Sequence, residues 1–226
     1  MANQESDRKI RLAILISGRG SNMFALRDAL SDYDEKAEII LIAADKQCAG
    51  ITLAQAEDLP CLVVPYHGRP KAEAEAELID ALKSAEVDII ILAGFMRILS
   101  ADFVAEFDGR IINIHPSLLP HYKGLHTHQR ALDAGDSHHG ASVHLVNAEL
   151  DDGPILLQAS IAIHKDDTAK SLAMRLLPLE HWLYCKVVTG LVSGEMVMTK
   201  SGGVWQSPVT VPAELGRVTI CPQKPS

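Results

Sequence analysis

Short, unbroken runs of Ile, Val and Leu punctuate the first half of the chain: 10–16 (IRLAILI), 37–43 (AEIILIA), 61–65 (CLVVP), 88–94 (DIIILAG) and 110–115 (RIINIH). They lack strict alternation, which marks strands covered on both faces rather than on one. Helix-like stretches lie between them, at 22–31, 51–58, 70–84 and 100–107. Such alternation builds βαβ units with right-handed crossovers, so the predicted class is α/β: a Rossmann-like, mostly parallel sheet flanked by helices. Ligands of these sheets bind beyond the carboxyl ends of the strands, which directs attention to the loops after Ile16, Ala93 and Ile114.

Beyond residue 115 the pattern changes. Segments 141–147 (ASVHLVN) and 154–163 (PILLQASIAI) read as strands joined by a short acidic turn, hence as antiparallel additions that give the sheet a mixed C-terminal part. A helix follows from about Thr168 to Val188, with Asp166 or Asp167 placed to cap it and Pro178 placed to kink or split it. Residues 196–205 read as a hairpin turning at 201–203, and roughly the last twenty residues as a loosely packed tail.

A chain of 226 residues with 47% hydrophobic content suits a single globular domain with a substantial core. Its formal net charge of -8 argues against a general grip on nucleic-acid phosphates, although a small anion could still be held locally. The longest apolar run, 87–96, contains Asp88 and falls well short of the roughly 18 residues of a membrane span. The polar start MANQESDRKI lacks the apolar core of a signal peptide, so the expected setting is the cytoplasm, with no membrane partner. Cys48, Cys61, Cys185 and Cys221 show no CxxC spacing and read as buried or incidental thiols.

LISGRGSNM (15–23) is a strand running into a glycine-rich turn that opens a helix. Gly18 and Gly20 permit close backbone approach, while Ser21, Asn22 and the helix-start N–H groups offer donors to a phosphate. Three readings stay open: a phosphate monoester site, a dinucleotide site with Asp45 as the ribose acid, and a plain structural turn. Met23 stands at the third glycine position of the dinucleotide fingerprint, and no Walker lysine is present.

NIHPSLLPHYKGLHTHQRAL (113–132) is more informative. Asn113 and His115 end a predicted buried strand two residues apart, so both side chains face the same way. A carboxamide N–H can stabilise an oxyanion and an imidazole can move a proton near neutral pH, a pair suited to attack on an acyl carbon. Seven of the ten histidines fall between His115 and His144, with His126 and His128 in HxH spacing. No HExxH or cysteine partner accompanies them, so no metal is expected; His144, on a strand, reads as a satisfied core histidine. In the acidic turn 149–154 a carboxylate could pair with the imidazole, Asp151 being the candidate, but spacing alone does not separate it from Asp152. LAGFMRILS (92–100) reads either as core beside a solvated arginine or as a flat apolar slot for a heterocycle.

In their order, LISGRGSNM, LAGFMRILS, NIHPSLLPHYKGLHTH, HGASVHLVNAELDDGPILLQA (139–159) and EHWLY (180–184) resemble the folate-dependent phosphoribosylglycinamide formyltransferases, collinearly from about Arg11 to Val188. The resemblance implies transfer of a formyl group from 10-formyltetrahydrofolate to the amine of glycinamide ribonucleotide in purine synthesis. It implies Asn113, His115 and Asp151 as the catalytic trio, which selects Asp151 over Asp152. Gly20, Ser21 and Asn22 would bind the ribonucleotide phosphate and Glu180 its glycinamide end. Met96, Arg97, Ile98 and Leu99, with Asn113 and Val146, would form the folate pocket, and Lys71 would lie near the folate tail. The implied layout is one formyltransferase domain over 1–226: a nucleotide-binding half (9–115), a part with the catalytic loop, the folate side and the C-terminal helix (116–206), and a tail (207–226). The partners would be small molecules, without nucleic acid or membrane, and the state a monomer or homodimer.

The chain departs from the family at AADK (43–46), where a Ser-Asn-Lys-like run is more usual, at Pro178, and in the tail beyond about Gly194. Two relatives share the catalytic logic and fit less well. Formyltetrahydrofolate hydrolase usually has an N-terminal regulatory domain, and methionyl-tRNA formyltransferase a C-terminal domain for tRNA. An NAD-binding oxidoreductase is the alternative from a different class.

Overall fold

The computed structural model describes residues 8–215 and 218–220, which group into two compact units that divide after Leu99. In the first unit the chain runs β1 (Ile10–Ile16), α1 (Ser21–Leu30), β2 (Ala37–Ala44), α2 (Ala49–Ala56), β3 (Cys61–Val63), α3 (Lys71–Ser84) and β4 (Ile89–Leu92). Its strands pair in the order β3-β2-β1-β4, all parallel. Residues 12–16 of β1 are 0% exposed, the burial on both faces that an unbroken apolar run predicts for a central parallel strand.

The second unit runs α4 (Ala101–Glu106), β5 (Ile111–His115), α5 (Thr127–Asp133), β6 (His138–Leu145), β7 (Ile155–Ala162), α6 (Ala169–Ser193), β8 (Met196–Thr199), β9 (Gly202–Trp205) and β10 (Val218–Ile220). Here β5, β6, β7 and β10 pair in that order, antiparallel throughout. The class is therefore α/β, with parallel strands first and an antiparallel C-terminal part, as the pattern predicts.

Helix α6 packs on β6 and β7. Leu172, Leu176, Leu179, Leu183 and Val187 are buried at spacings of three and four, one continuous apolar stripe. From the same helix the Tyr184 hydroxyl donates to the Ile112 carbonyl at 3.0 Å, fastening it to the strand that carries Asn113. A side chain at Gly190 would place its Cβ 2.7 Å from the Trp205 ring, so glycine there lets the β8–β9 hairpin lie against α6.

Several expectations change. Neither Asp166 nor Asp167 caps α6. Thr168 does: its hydroxyl accepts from the Ser171 N–H at 3.1 Å, and the Thr168 N–H donates to Ser171 Oγ at 2.9 Å. The Asp167 carboxylate is drawn instead to Arg175, the His164 N–H and Ser171 Oγ. Pro178 does not split the helix. It lies on the exposed face, and the carbonyl that loses its donor belongs to Met174, itself 66% exposed, where water can reach it. Residues 127–133, which carry no helical pattern in the sequence, form α5. The tail adds β10 to the sheet edge, and Cys221 lies outside the described residues. No helix among the described residues is long and apolar enough to cross a membrane.

Candidate active site

The site is built from the end of β5. Asn113 and His115 project to one side, and the antiparallel register sets His144 opposite Asn113 and Ser142 opposite His115. His144 is 2% exposed, and its Nδ1 lies 2.8 Å from the Leu145 carbonyl, a group that can only accept. Nδ1 therefore carries the proton, and Nε2 of the neutral ring is an acceptor. The Asn113 carboxamide turns its Nδ2–H to that acceptor at 3.1 Å. Burial holds His144 below the ordinary histidine range, outweighing the Leu145 bond and the nearby Asp151 charge, so the neutral form persists. One Nδ2 hydrogen of Asn113 is thereby fixed, leaving the other for an oxyanion.

His115 lies between two acceptors. Its Nε2–H donates to the Tyr122 carbonyl at 2.9 Å, and its Nδ1 stands 3.4 Å from Asp151 Oδ2. Asp151 is held in a left-handed conformation, φ 47°, and accepts the Gly124 N–H at 2.9 Å. Its neighbour Asp152 is about half exposed and pairs with Lys123 instead. Geometry thus separates the two aspartates that spacing could not.

The segment carrying Tyr122 is tied to the strands behind it. Ser142 Oγ donates to the Ser117 carbonyl at 2.6 Å and receives the Leu119 N–H at 3.1 Å and Gln158 Nε2 at 2.7 Å. Beyond it, His128 and His139 meet edge to face, ring centres 4.9 Å apart. Burial, with the charge of His128 next, pushes His139 down to about 4; burial also lowers His128, with His115 adding to the effect. Among the described residues no group of three or more His, Cys, Asp or Glu is placed to hold a metal ion.

In the first unit, Gly20 precedes α1 with φ 78°, a left-handed turn that favours glycine. Gly50, in the first turn of α2, donates its N–H to the Gly18 carbonyl at 2.9 Å, and a Cβ on Gly50 would come within 2.9 Å of that oxygen. Ser21 and Asn22 open α1, where the first-turn N–H groups have no intrahelical acceptor, and Asn22 Oδ1 is buried without a partner. Following β4, Met96 and Ile98 are exposed large apolar side chains, while Arg97 turns to Asp45. That pairing leaves the Asp45 carboxylate 1% exposed, which removes it as an acid for an adenosine ribose. Lys71, the first residue of α3, stands 3.6 Å from Glu75, and Leu99 is partly buried.

Glu180 sits half-buried on α6, and the Val146 N–H, just after β6, donates to the Ile111 carbonyl at 2.9 Å. Of the residues singled out in the sequence, the structure brings Asn113, His115 and Asp151 together around His144. The sequence pattern marks His144 as a core residue and carries no sign of the Tyr122 carbonyl. The register opposite Asn113 is the signal that points to His144.

The formyl transferase family model matches residues 10–188. The chain is 39% identical over 191 residues to phosphoribosylglycinamide formyltransferase of Escherichia coli (strain K12), a match over 84% of this chain and 90% of that protein. It is 43% identical over 198 residues to the trifunctional purine biosynthetic protein adenosine-3 of Drosophila melanogaster, of whose length it spans only 15%. Among solved structures it resembles phosphoribosylglycinamide formyltransferase from Anaplasma phagocytophilum, with TM-score 0.81, 36% identity, and coverage of 90% and 97% of the two chains. Its likeness to a formyltetrahydrofolate deformylase from Pseudomonas syringae, at 24% identity, TM-score 0.79 and coverage of 88% and 66% of the two chains, speaks for the fold alone. On this fold, with Asn113 and His115 ending β5, the chain belongs to the formyl transferase family and is similar within it to the phosphoribosylglycinamide formyltransferases.

Proposed function

We propose that this chain transfers the formyl group of 10-formyltetrahydrofolate to the primary amine of glycinamide ribonucleotide. The observation that carries the reading is the Asn113 carboxamide, oriented by a buried neutral His144 beside an imidazole flanked by Asp151. The neutral amine attacks the formyl carbon and a C–N bond forms. Charge moves to the formyl oxygen, which accepts from Asn113 Nδ2–H and from His115. In this step the oxygen replaces the Tyr122 carbonyl as acceptor for His115 Nε2–H, while Asp151 holds the imidazole from the Nδ1 side. A proton then passes, with His115 and water assisting, from the attacking nitrogen to the folate nitrogen, whose bond to carbon breaks. The products are the formylated ribonucleotide and tetrahydrofolate, with no covalent enzyme intermediate and no metal-dependent step.

Holding both substrates together supplies part of the rate, because well-oriented neighbours lower a barrier by roughly 7–11 kcal/mol relative to a dilute encounter. Gly20, Ser21 and Asn22 hold the ribonucleotide phosphate at the start of α1, and Glu180 holds the glycinamide end. Segment 96–99 of the first unit, with Met96 and Ile98 exposed, serves the folate ring system, and Lys71 at the start of α3 its acidic tail. The test follows folate absorbance with purified protein and both substrates in EDTA. Turnover that stops when the ribonucleotide is left out supports the transferase, and equal turnover without it contradicts the transferase and indicates a hydrolase.

A further inference from the structure

The AADK run that ends the second strand differs from the family's usual wording, and its aspartate has a defined partner. Asp45 follows β2 with its carboxylate almost wholly buried, and Oδ2 accepts the Arg97 Nε–H at 2.6 Å. The Arg97 guanidinium also lies 5.5 Å from the centre of the Tyr66 ring, which meets Phe95 edge-on at 6.0 Å. One residue before Arg97, the Met96 N–H donates to Ser17 Oγ at 2.8 Å, and Ser17 is itself buried. Segment 95–99 is thus fastened at Ser17 just past β1, Asp45 just past β2 and Tyr66 just past β3. With Arg97 drawn aside, its neighbours Met96 (69% exposed) and Ile98 (67% exposed) are left as large apolar side chains on the surface.

We infer that Asp45 is a positioning residue for the heterocyclic co-substrate: through Arg97, its buried carboxylate fixes segment 95–99 so that Met96 and Ile98 present a preformed apolar face to a flat ring. The inference rests on reading 96–99 as the folate pocket. Asp45 itself touches no substrate. A buried, charge-assisted pair of this kind contributes conformational definition more than net stability. Fixing the segment beforehand removes an ordering cost from binding.

Tetrahydrofolate and glycinamide ribonucleotide, titrated separately into the full chain by calorimetry, test it. Asp45→Ser should weaken tetrahydrofolate about tenfold, the scale of one lost hydrogen bond to a charged group, and leave the ribonucleotide unaffected. Asp45→Asn keeps the shape and an acceptor for Arg97 and should lose about threefold, as a neutral bond is roughly half as strong; it decides the matter if the serine variant does not fold. In an Arg97→Met background the Asp45 changes should add less than about a factor of two, since two residues acting through one contact are not additive. An unchanged tetrahydrofolate affinity, an equal loss for both ligands, or a loss that persists in Arg97→Met overturns the inference. Ile98→Asp separates the positioning role of Asp45 from the pocket itself. If it loses tetrahydrofolate while the Asp45 variants do not, the positioning role falls and the pocket stands; if all of them bind normally, the pocket falls and the inference with it.

Discussion

Asn113 Nδ2 stands 3.1 Å from His144 Nε2 on facing positions of β5 and β6, while the Leu145 carbonyl holds the other nitrogen of His144 at 2.8 Å. The amide can face His144 this way only while that ring offers a bare nitrogen. His144→Phe removes the acceptor and should lower kcat about 10²-fold, the scale of losing one oxyanion donor, with smaller changes in the affinity of either substrate. His144→Gln, whose carbonyl oxygen can accept from Asn113, should recover part of the loss. Equal kcat in the wild type and the phenylalanine variant would remove His144 from the account.

Asp151→Asn should lower turnover by about 10²-fold or more, the usual scale of acid–base contributions, because it removes the charge opposite His115 Nδ1. Asparagine tolerates the left-handed backbone at 151 and still offers an oxygen to the Gly124 N–H, so the turn should persist. Single-turnover kinetics with both substrates saturating is the check. A variant as fast as the wild type contradicts the role given to Asp151.

Gly20→Val sets a branched side chain at φ 78°, a conformation that costs a residue with a Cβ about 1–2 kcal/mol. The added Cβ would also lie 3.1 Å from Met23 Cε and 3.3 Å from Gly50 Cα. In the folded variant, ribonucleotide affinity should fall by about tenfold or more, the scale of a lost charged contact, while tetrahydrofolate affinity stays. Loss of the folate with retention of the ribonucleotide reverses the assignment of the glycine turn.

The His128–His139 pair predicts an acid-sensitive fold. His139, 1% exposed, has a folded pKa pushed down to about 4 against an unfolded value near 6.5, so the unfolded chain binds the extra proton between those values. Its contribution to stability is full above about pH 6.5 and is lost as pH falls toward 4, amounting to about 2 kcal/mol between pH 7 and pH 5. Urea unfolding at those two pH values should show that loss in the wild type and a smaller one in His139→Gln. The same slope in both proteins would assign it to other groups.

Much of this was legible in the sequence. The parallel strands announce themselves because residues buried on both faces, such as 12–16 of β1, leave no polar alternation to confuse the reading. Asn113 and His115 are visible because they stand two positions apart at the end of an apolar strand, on one face, before a Pro-containing loop where sheets of this type bind ligands. Helix α5 was hidden: it has seven residues, too few for apolar periodicity, and its N-cap is His126 in a left-handed conformation rather than a Ser, Thr, Asp or Asn. The cap of α6 is not decided by local sequence, because Asp167 and Thr168 are both good capping types and Arg175, eight residues on from Asp167, engages the aspartate. His144 and Asp45 depend on partners 31 and 52 residues away, which no local pattern encodes.

The central claim is that the formyl carbon passes to the ribonucleotide amine. It is tested most directly by 10-formyltetrahydrofolate labelled with 13C in the formyl group, mixed with the enzyme and glycinamide ribonucleotide and followed by carbon NMR. The account predicts that the label appears in the amide of the formylated ribonucleotide, and that Asn113→Ala slows its appearance by about 10²–10³-fold, as removal of an oxyanion donor does. Label released as formate at the same rate with and without the ribonucleotide would contradict it.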